Sequence, residues 1–244
     1  MEKLYIVIPA YNERENIRRL VEDWYPVVER HGGAEGSRLL VVNDGSRDDT
    51  YEILCQMAKT RPYLIPLTKE NGGHGPAVLC GYRYAVRSGA DYVFQTDADG
   101  QTLASEFGPF WARRKKYDMV IGYRKHRGDG LSRILVSRVL KLVILLDFHV
   151  WIRDANTPYR LMKAETLKRC LRMIPREYNL PNVLICVICR KKRLSVRWLP
   201  ITFRPRQGGK NSLNVRKIVR IGRGAAVDFW RLGRTLFGNG VRGR

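Results

Sequence analysis

The sequence predicts an α/β fold: a mostly parallel sheet flanked by helices, followed by amphipathic helices at the C-terminal end. Three observations carry that expectation. Apolar runs of strand length alternate with segments of helical periodicity through the first half of the chain, the order that places helices on the faces of a parallel sheet. Each run stops at a cluster of Asn, Asp, Gly or Ser, residues that turn a chain and cap helices. The 244 residues, 44% hydrophobic and 28% charged, can bury a full core and are globular in composition.

LYIVIPA at 4–10 is continuously apolar up to Pro9, as in a strand covered on both faces. From Asn12 to about Val28, the residues Ile17, Leu20, Val21, Trp24 and Val28 recur at helical spacing. Residues 39–42 form a second strand that stops at NDGSRDDT, and 51–58 continue as helix. LIPLT at 64–68 is a third strand, broken by ENGGHGPA; a helix follows over about 77–88, then YVFQT as the fourth strand. Ligands of such sheets sit beyond the carboxyl ends of the strands. That rule selects PAYNE at 9–13, NDGS at 43–46, NGGHG at 71–75 and DADGQ at 97–101.

Asp97 and Asp99, with Gln101 two residues on, offer oxygen ligands from one turn to a hard cation, and Mg²⁺ or Mn²⁺ suits such a set with phosphate and water completing the shell. An ordinary acidic turn is the competing reading. Asp44 follows a strand end, where a carboxylate can accept from the ring N–H of a base while Tyr11 flanks that base. Its alternative is a cap for the helix beginning near Asp48. His74 reads as structural or merely solvated.

PAYNE, VVNDGSRDDT, QTDADGQ and the later DANTPYR stand in the order and at the intervals found in family 2 inverting glycosyltransferases of the GT-A fold. Over about residues 4–213 the chain most resembles the polyprenyl-phosphate hexosyltransferases, of dolichol-phosphate mannose synthase type. The resemblance implies metal-dependent transfer of a hexose, with inversion, from a nucleotide-diphosphate sugar of GDP-mannose or UDP-glucose type to a polyprenyl phosphate. It implies that Pro9, Tyr11 and Glu13 line the nucleotide pocket together with Asp97 and Ala98, that Asp44 reaches the base, and that Asp97, Asp99 and Gln101 hold the metal. Asn43 departs from the pattern, which commonly has a second aspartate there, and base selectivity stays open.

IGYRKHRGDGLSRILVSR at 121–138 sets Arg124, Arg127, Arg133 and Arg138 shortly after the acidic turn, and guanidinium groups suit a second anion. In the resembled enzymes arginines at the positions of Arg124 and Arg133 hold the lipid phosphate, and the arginine of an acceptor-side loop that closes over the diphosphate corresponds to Arg206. Arg127 and Arg138 read as a solvated basic face. Asp154 of DANTPYR is the general base that a hydroxyl acceptor would need. With an already ionised phosphate acceptor it orients Arg124, Arg160 or the sugar instead. A family 2 enzyme acting on a glycan or small-molecule hydroxyl, with Asp154 as base, is therefore the nearest rival.

The formal net charge of +22 points to an anionic partner, either nucleic acid or membrane. On a helical wheel, Arg216, Lys217, Arg220, Arg223, Arg231 and Arg234 share an arc of roughly 120°, with Val215, Ile218, Ala225, Phe229, Leu232, Leu236 and Phe237 opposite and Trp230 near the border, the pattern of a helix lying in an anionic membrane surface. Residues 131–152 repeat the pattern, with Arg133, Ser137 and Lys141 on one side. A core helix with a basic outer face is the alternative, and Gly222, Gly224 and Gly233 weaken the C-terminal helix. A nucleic-acid-binding role is remote, because aromatic residues do not interleave with the Lys and Arg runs. The five cysteines are odd in number, and CVIC at 186–189 reads as two small apolar residues of a buried helix rather than a redox or zinc pair. No stretch has the length of a membrane span and nothing marks the N-terminus for export, so the expected location is cytoplasmic, peripheral at the inner face of a membrane. A separate membrane-spanning partner or a homo-oligomer is a further expectation. The organisation expected is a nucleotide-sugar half over 1–125, an acceptor half of the same domain over 126–213, and a basic amphipathic segment over 214–244.

Overall fold

A computed structural model describes residues 2–32, 35–124 and 141–204. The expected C-terminal amphipathic helices, Arg127, Arg133, Arg138 and Arg206 lie outside the described residues. Strand β1 (Leu4–Ala10), helix α1 (Ile17–Arg30), β2 (Arg38–Asp44), α2 (Thr50–Ala58), β3 (Leu64–Lys69), α3 (His74–Arg87) and β4 (Tyr92–Gln95) follow the expected alternation. After a short 3₁₀ turn come α4 (Phe107–Trp111), β5 (Met119–Arg124), a helical segment α5 at 141–148, β6 (Arg160–Lys163), α6 (Ala164–Leu171), α7 (Pro181–Lys191) and β7 (Val196–Ile201).

The seven strands form one sheet in the order β3-β2-β1-β4-β6-β5-β7. All pairings are parallel except those of β6, which runs antiparallel to both β4 and β5. Two reversals restore direction, so β5 and β7 point the same way as β1 to β4. The carboxyl ends of six strands and the entry to β6 therefore share one edge. That brings Arg124 at the end of β5, DANTPYR at the start of β6 and Phe203 beyond β7 to the edge already carrying the four polar loops. The sheet crosses residue 125, which unites both halves in one layer.

Helix boundaries shift where local chemistry overrides periodicity. Helix α1 begins at Ile17 rather than Asn12, because Asn12 turns left-handed (φ 53°) and the Glu13 carbonyl closes a turn on the amides of Asn16 and Ile17. Helix α3 starts three residues before the expected Ala77: Gly73 takes φ 96°, and Pro76 falls in the first turn, where an amide has no helical partner anyway. Helix α5 ends at Phe148, short of the expected Ile152, with His149 left-handed at φ 53°. Cys186 and Cys189 are buried on α7, within the core cluster that α3 and α6 share.

Two apolar clusters fill the two faces of the sheet. Under the acidic turn, Phe94 of β4 packs against Trp24, Phe107 and Tyr159 with centroids 5.3, 5.0 and 4.7 Å apart. The Tyr159 hydroxyl donates to the Leu103 carbonyl at 2.9 Å, so the turn rests on a rigid aromatic floor.

Candidate active site

The first two loops are stitched to each other. The Asn12 amide donates to Ser46 Oγ at 3.0 Å, the Arg47 amide to Asn12 Oδ1 at 2.8 Å, the Glu13 amide to Thr50 Oγ1 at 2.9 Å and the Arg14 amide to Asp48 Oδ2 at 3.3 Å. Pro9 is buried in β1 past its last β4 partner, Glu13 is buried, and Tyr11 is exposed over 43% of its surface, leaving a ring face open to the edge. Asn43 donates to Thr68 Oγ1 at 2.9 Å and accepts the Ser46 amide at 3.2 Å, which ties β2 to β3.

Asp44 is buried and holds the next loop: Oδ1 accepts Lys69 Nζ at 2.8 Å and the Gly72 amide at 3.0 Å, and Oδ2 accepts the Gly73 amide at 2.7 Å. It does not cap α2; the Thr50 amide goes to Asp48 instead. Gly45 (φ 63°) lies so close that a Cβ there would stand 2.7 Å from the Asn71 nitrogen. Gly75 is similarly confined, since a Cβ would meet the Tyr178 carbonyl oxygen at 2.3 Å.

This loop delivers His74, whose Nε2 lies 3.0 Å from Asp97 Oδ1. Of the two readings of His74, structural or merely solvated, the geometry gives the structural one: a half-exposed ring is anchored on the acidic turn. Crowding by neighbouring atoms favours the neutral ring, but Asp97 beside it and Asp99 and Asp44 further off outweigh that, and its pKa is raised. The signal was the histidine's place in a glycine-rich loop at the ligand edge.

Asp97, Asp99 and Gln101 are half-buried while Ala98 between them is buried in the core beneath. Both aspartates therefore face the open edge from one turn. Gln95 Nε2 donates to Asp97 Oδ1 at 2.9 Å, and the Gln101 amide to Asp99 Oδ1 at 3.1 Å. Gln101 Nε2 donates to the Arg204 carbonyl at 2.8 Å, which orients the side-chain amide. The described residues contain no cluster of three His, Cys, Asp or Glu side chains suited to a metal, so a cation here relies on the two carboxylates, the amide oxygen and donor phosphates.

Across the edge, Arg124 and Asp154 form a two-pronged ion pair: Nε to Oδ2 and Nη2 to Oδ1, each 3.0 Å. Asp154 is buried, and the guanidinium stacks over Phe203, 5.1 Å from the ring centroid. Of the partners expected for Asp154, Arg124 is the one found. Arg160 is fully buried and gives its N–H groups to the carbonyls of Ala155, Thr157 and Asn182 and to Cys186 Sγ. The structure thus brings together Pro9, Tyr11, Glu13, Asp44, Asp97, Ala98, Asp99, Gln101, Arg124 and Asp154 at one edge.

A doubly wound sheet with paired aspartates after its fourth strand, the exposed Tyr11 at the same edge and an arginine opposite defines a GT-A-like fold. Residues 5–180 match the profile described as "Glycosyl transferase family 2", and the chain belongs to that family. It is 32% identical over 217 residues to a dolichyl-phosphate beta-glucosyltransferase of Trichomonas vaginalis, covering 81% of this chain and 62% of the relative. It is 25% identical over 222 residues to the polyprenol monophosphomannose synthase of Mycolicibacterium smegmatis, covering 87% of this chain and 82% of the relative. Glucosyl-3-phosphoglycerate synthase from Mycobacterium tuberculosis, solved with Mn²⁺, UDP-glucose and phosphoglyceric acid, superposes with a TM-score of 0.67 at 18% identity, covering 95% of this chain and 80% of that one. The chain is a glycosyltransferase.

Proposed function

We propose that the protein transfers a hexose from a nucleotide-diphosphate sugar to a polyprenyl phosphate, with inversion at the anomeric carbon, while lying peripherally on the cytosolic face of a membrane. The observation that carries the acceptor class is the state of Asp154. Both its oxygens are taken by Arg124 and its side chain is 6% exposed, which suits a residue that aims a guanidinium rather than one that collects a proton. The printed activities of the dolichyl-phosphate and polyprenol relatives point the same way.

In this reading Tyr11 flanks the base and the stitched loops at 9–14 and 43–50 wall its pocket. Asp97, Asp99 and Gln101 would hold Mg²⁺ or Mn²⁺, supplying positive charge to the leaving diphosphate. Arg124 binds the acceptor phosphate, held in aim by Asp154, with Arg133 and Arg206 added from the sequence. One ionised phosphate oxygen attacks the anomeric carbon opposite the diphosphate; its lone pair forms the new C–O bond as the bond to the diphosphate oxygen breaks. No proton has to be removed, because the attacking oxygen is already anionic near neutral pH.

Membrane contact is supported by Leu142, Leu145, Leu146 and Trp151, exposed by 55, 43, 63 and 63% near the acceptor edge, and by the net charge of +22. Among the described residues no helix is long and apolar enough to cross a membrane. The test is incubation with Mn²⁺ and radiolabelled nucleotide sugars, with and without polyprenyl phosphate. Label should enter the organic phase only with the lipid; label staying in water-soluble product would favour the hydroxyl-acceptor rival.

A further inference from the structure

Behind the two halves of the site runs a buried polar chain that the transfer reaction does not itself require. Gln95, Asn182, Tyr82 and Arg160 are all at most 3% exposed and sit among apolar side chains. Gln95 gives Nε2 to Asp97 and accepts, at Oε1, Asn182 Nδ2 at 3.0 Å. Tyr82 donates to Asn182 Oδ1 at 3.0 Å, and its hydroxyl stands 3.4 Å from Gln95 Oε1, closing the triangle. The Asn182 carbonyl accepts Arg160 Nη1 at 2.9 Å, and the same guanidinium holds the carbonyls of Ala155 and Thr157, the residues that follow Asp154. One turn further along α7, Cys186 Sγ lies 3.7 Å from both Arg160 Nη1 and the Ala155 carbonyl, so a single face of the helix serves both connections.

Buried amides and a buried guanidinium with only neutral acceptors are costly next to well-packed apolar residues of the same volume. A core that only needed filling would not use them, and both ends of this chain emerge at functional groups. One end is the carboxylate assigned to the cation, the other the loop that aims Arg124. We propose that Asn182 is a positioning residue that holds the Asp97 turn and the Asp154 loop in one fixed register, with Gln95 and Arg160 as its two arms. The proposal rests on the cation-binding reading of Asp97 for its effect on metal, but not for its effect on the two loops. Donor and acceptor are thereby set at one spacing before either substrate arrives, which is the requirement of an in-line displacement.

The experiment replaces Asn182 with leucine, close in volume, whose side chain cannot bond while its main-chain carbonyl still accepts Arg160, and reads three things in the full chain: Mn²⁺ affinity by titration with UDP present, hydrogen exchange at 95–101 and 155–160, and thermal unfolding. Asn182→Leu releases the Gln95 amide that holds Asp97, so it should weaken Mn²⁺ binding up to about ten-fold and speed exchange at 95–101, whereas 155–160, held through the Asn182 main-chain carbonyl, should loosen only in Arg160→Met. Gln95→Met, which cuts the same link from the other end, should reproduce the Mn²⁺ loss, and the double variant should be no worse than either single one. This pair decides the matter even where one variant folds poorly. A lowered unfolding temperature with Mn²⁺ affinity and loop exchange unchanged would mean plain packing and overturn the proposal. If the unaltered protein takes up no Mn²⁺, the cation reading falls, and the exchange rates alone decide for or against the junction.

Discussion

The edge proposed for the donor and the edge proposed for the acceptor are built differently. On the donor side, loops 34 to 37 residues apart in sequence hold one another through backbone amides given to Ser46, Asp48 and Thr50, and Asp44 clamps a third loop through two more amides. The acceptor side depends on charge: the described part of that edge centres on one ion pair, Arg124 with Asp154, supported by the buried Arg160. A wall fixed by main-chain bonds spreads its strength over many contacts, whereas a wall fixed by two or three charges concentrates it. Single substitutions should therefore be graded on the donor side, and removal of a guanidinium abrupt on the acceptor side, with the acidic turn as the donor side's exception because its carboxylates are those proposed to hold the cation.

The largest effect tests that exception. Asp99→Ala removes one of two carboxylates from a half-buried turn whose floor is aromatic, so the fold should persist while turnover drops about 10²- to 10⁴-fold, the several kcal/mol a catalytic cation supplies. Full turnover of that variant with excess chelator present would remove the cation from the mechanism. Next comes Arg160→Met, which strips hydrogen bonds from the carbonyls of Ala155, Thr157 and Asn182 inside the core. Stability to chemical denaturation should fall by about 3 to 5 kcal/mol. A fall below about 1 kcal/mol would show that the acceptor side is not held by this guanidinium.

The same contrast explains what the sequence disclosed. The donor half announces itself because each parallel strand is an unbroken apolar run and each loop a polar cluster, so LYIVIPA, NDGSRDDT and DADGQ are visible without any contact being known. The acidic turn was legible for that reason, whereas Arg124 was one of three partners open to Asp154. Strand β6 has only four residues and begins with an arginine that is buried because main-chain carbonyls, one of them on α7, take its N–H groups, so nothing local marks RLMK as a strand. The contacts of His74 and Gln95 with Asp97 were not legible because they depend on which loop arrives beside Asp97. Long-range hydrogen bonding has no period, and only the assembled sheet reveals it.

On the acceptor edge itself, Arg124→Ala should cost about 1.5 to 3 kcal/mol, or roughly ten- to hundred-fold in acceptor efficiency, with donor affinity unchanged by calorimetry. It also takes the two-pronged guanidinium contact from Asp154, a carboxylate only 6% exposed. Arg124→Lys, which restores charge but not the two-pronged geometry, should recover only part of the loss. Equal acceptor dependence in all three proteins would detach Arg124 from the acceptor.

The smallest expected effect separates the two acceptor classes most sharply. Asp154→Asn keeps the size and one acceptor oxygen of the side chain, so one of the two 3.0 Å contacts to Arg124 survives while the other faces an amide NH₂. If Asp154 only aims the guanidinium at an ionised phosphate, turnover should fall by no more than about ten-fold, since one charge-assisted hydrogen bond is weakened rather than a proton acceptor lost. If Asp154 takes a proton from a hydroxyl acceptor, the same substitution removes the base, and turnover should fall about 10²- to 10⁴-fold with both substrates still bound. Rate against polyprenyl phosphate concentration, measured beside donor affinity, distinguishes the cases. The pH profile adds an independent check: an aiming carboxylate leaves the profile's shape to the phosphate in both proteins, whereas a base leaves an acid limb in the parent protein that the asparagine variant lacks. A variant that binds donor and acceptor normally yet barely turns over would transfer Asp154 from aiming Arg124 to proton removal, and the acceptor from a lipid phosphate to a hydroxyl.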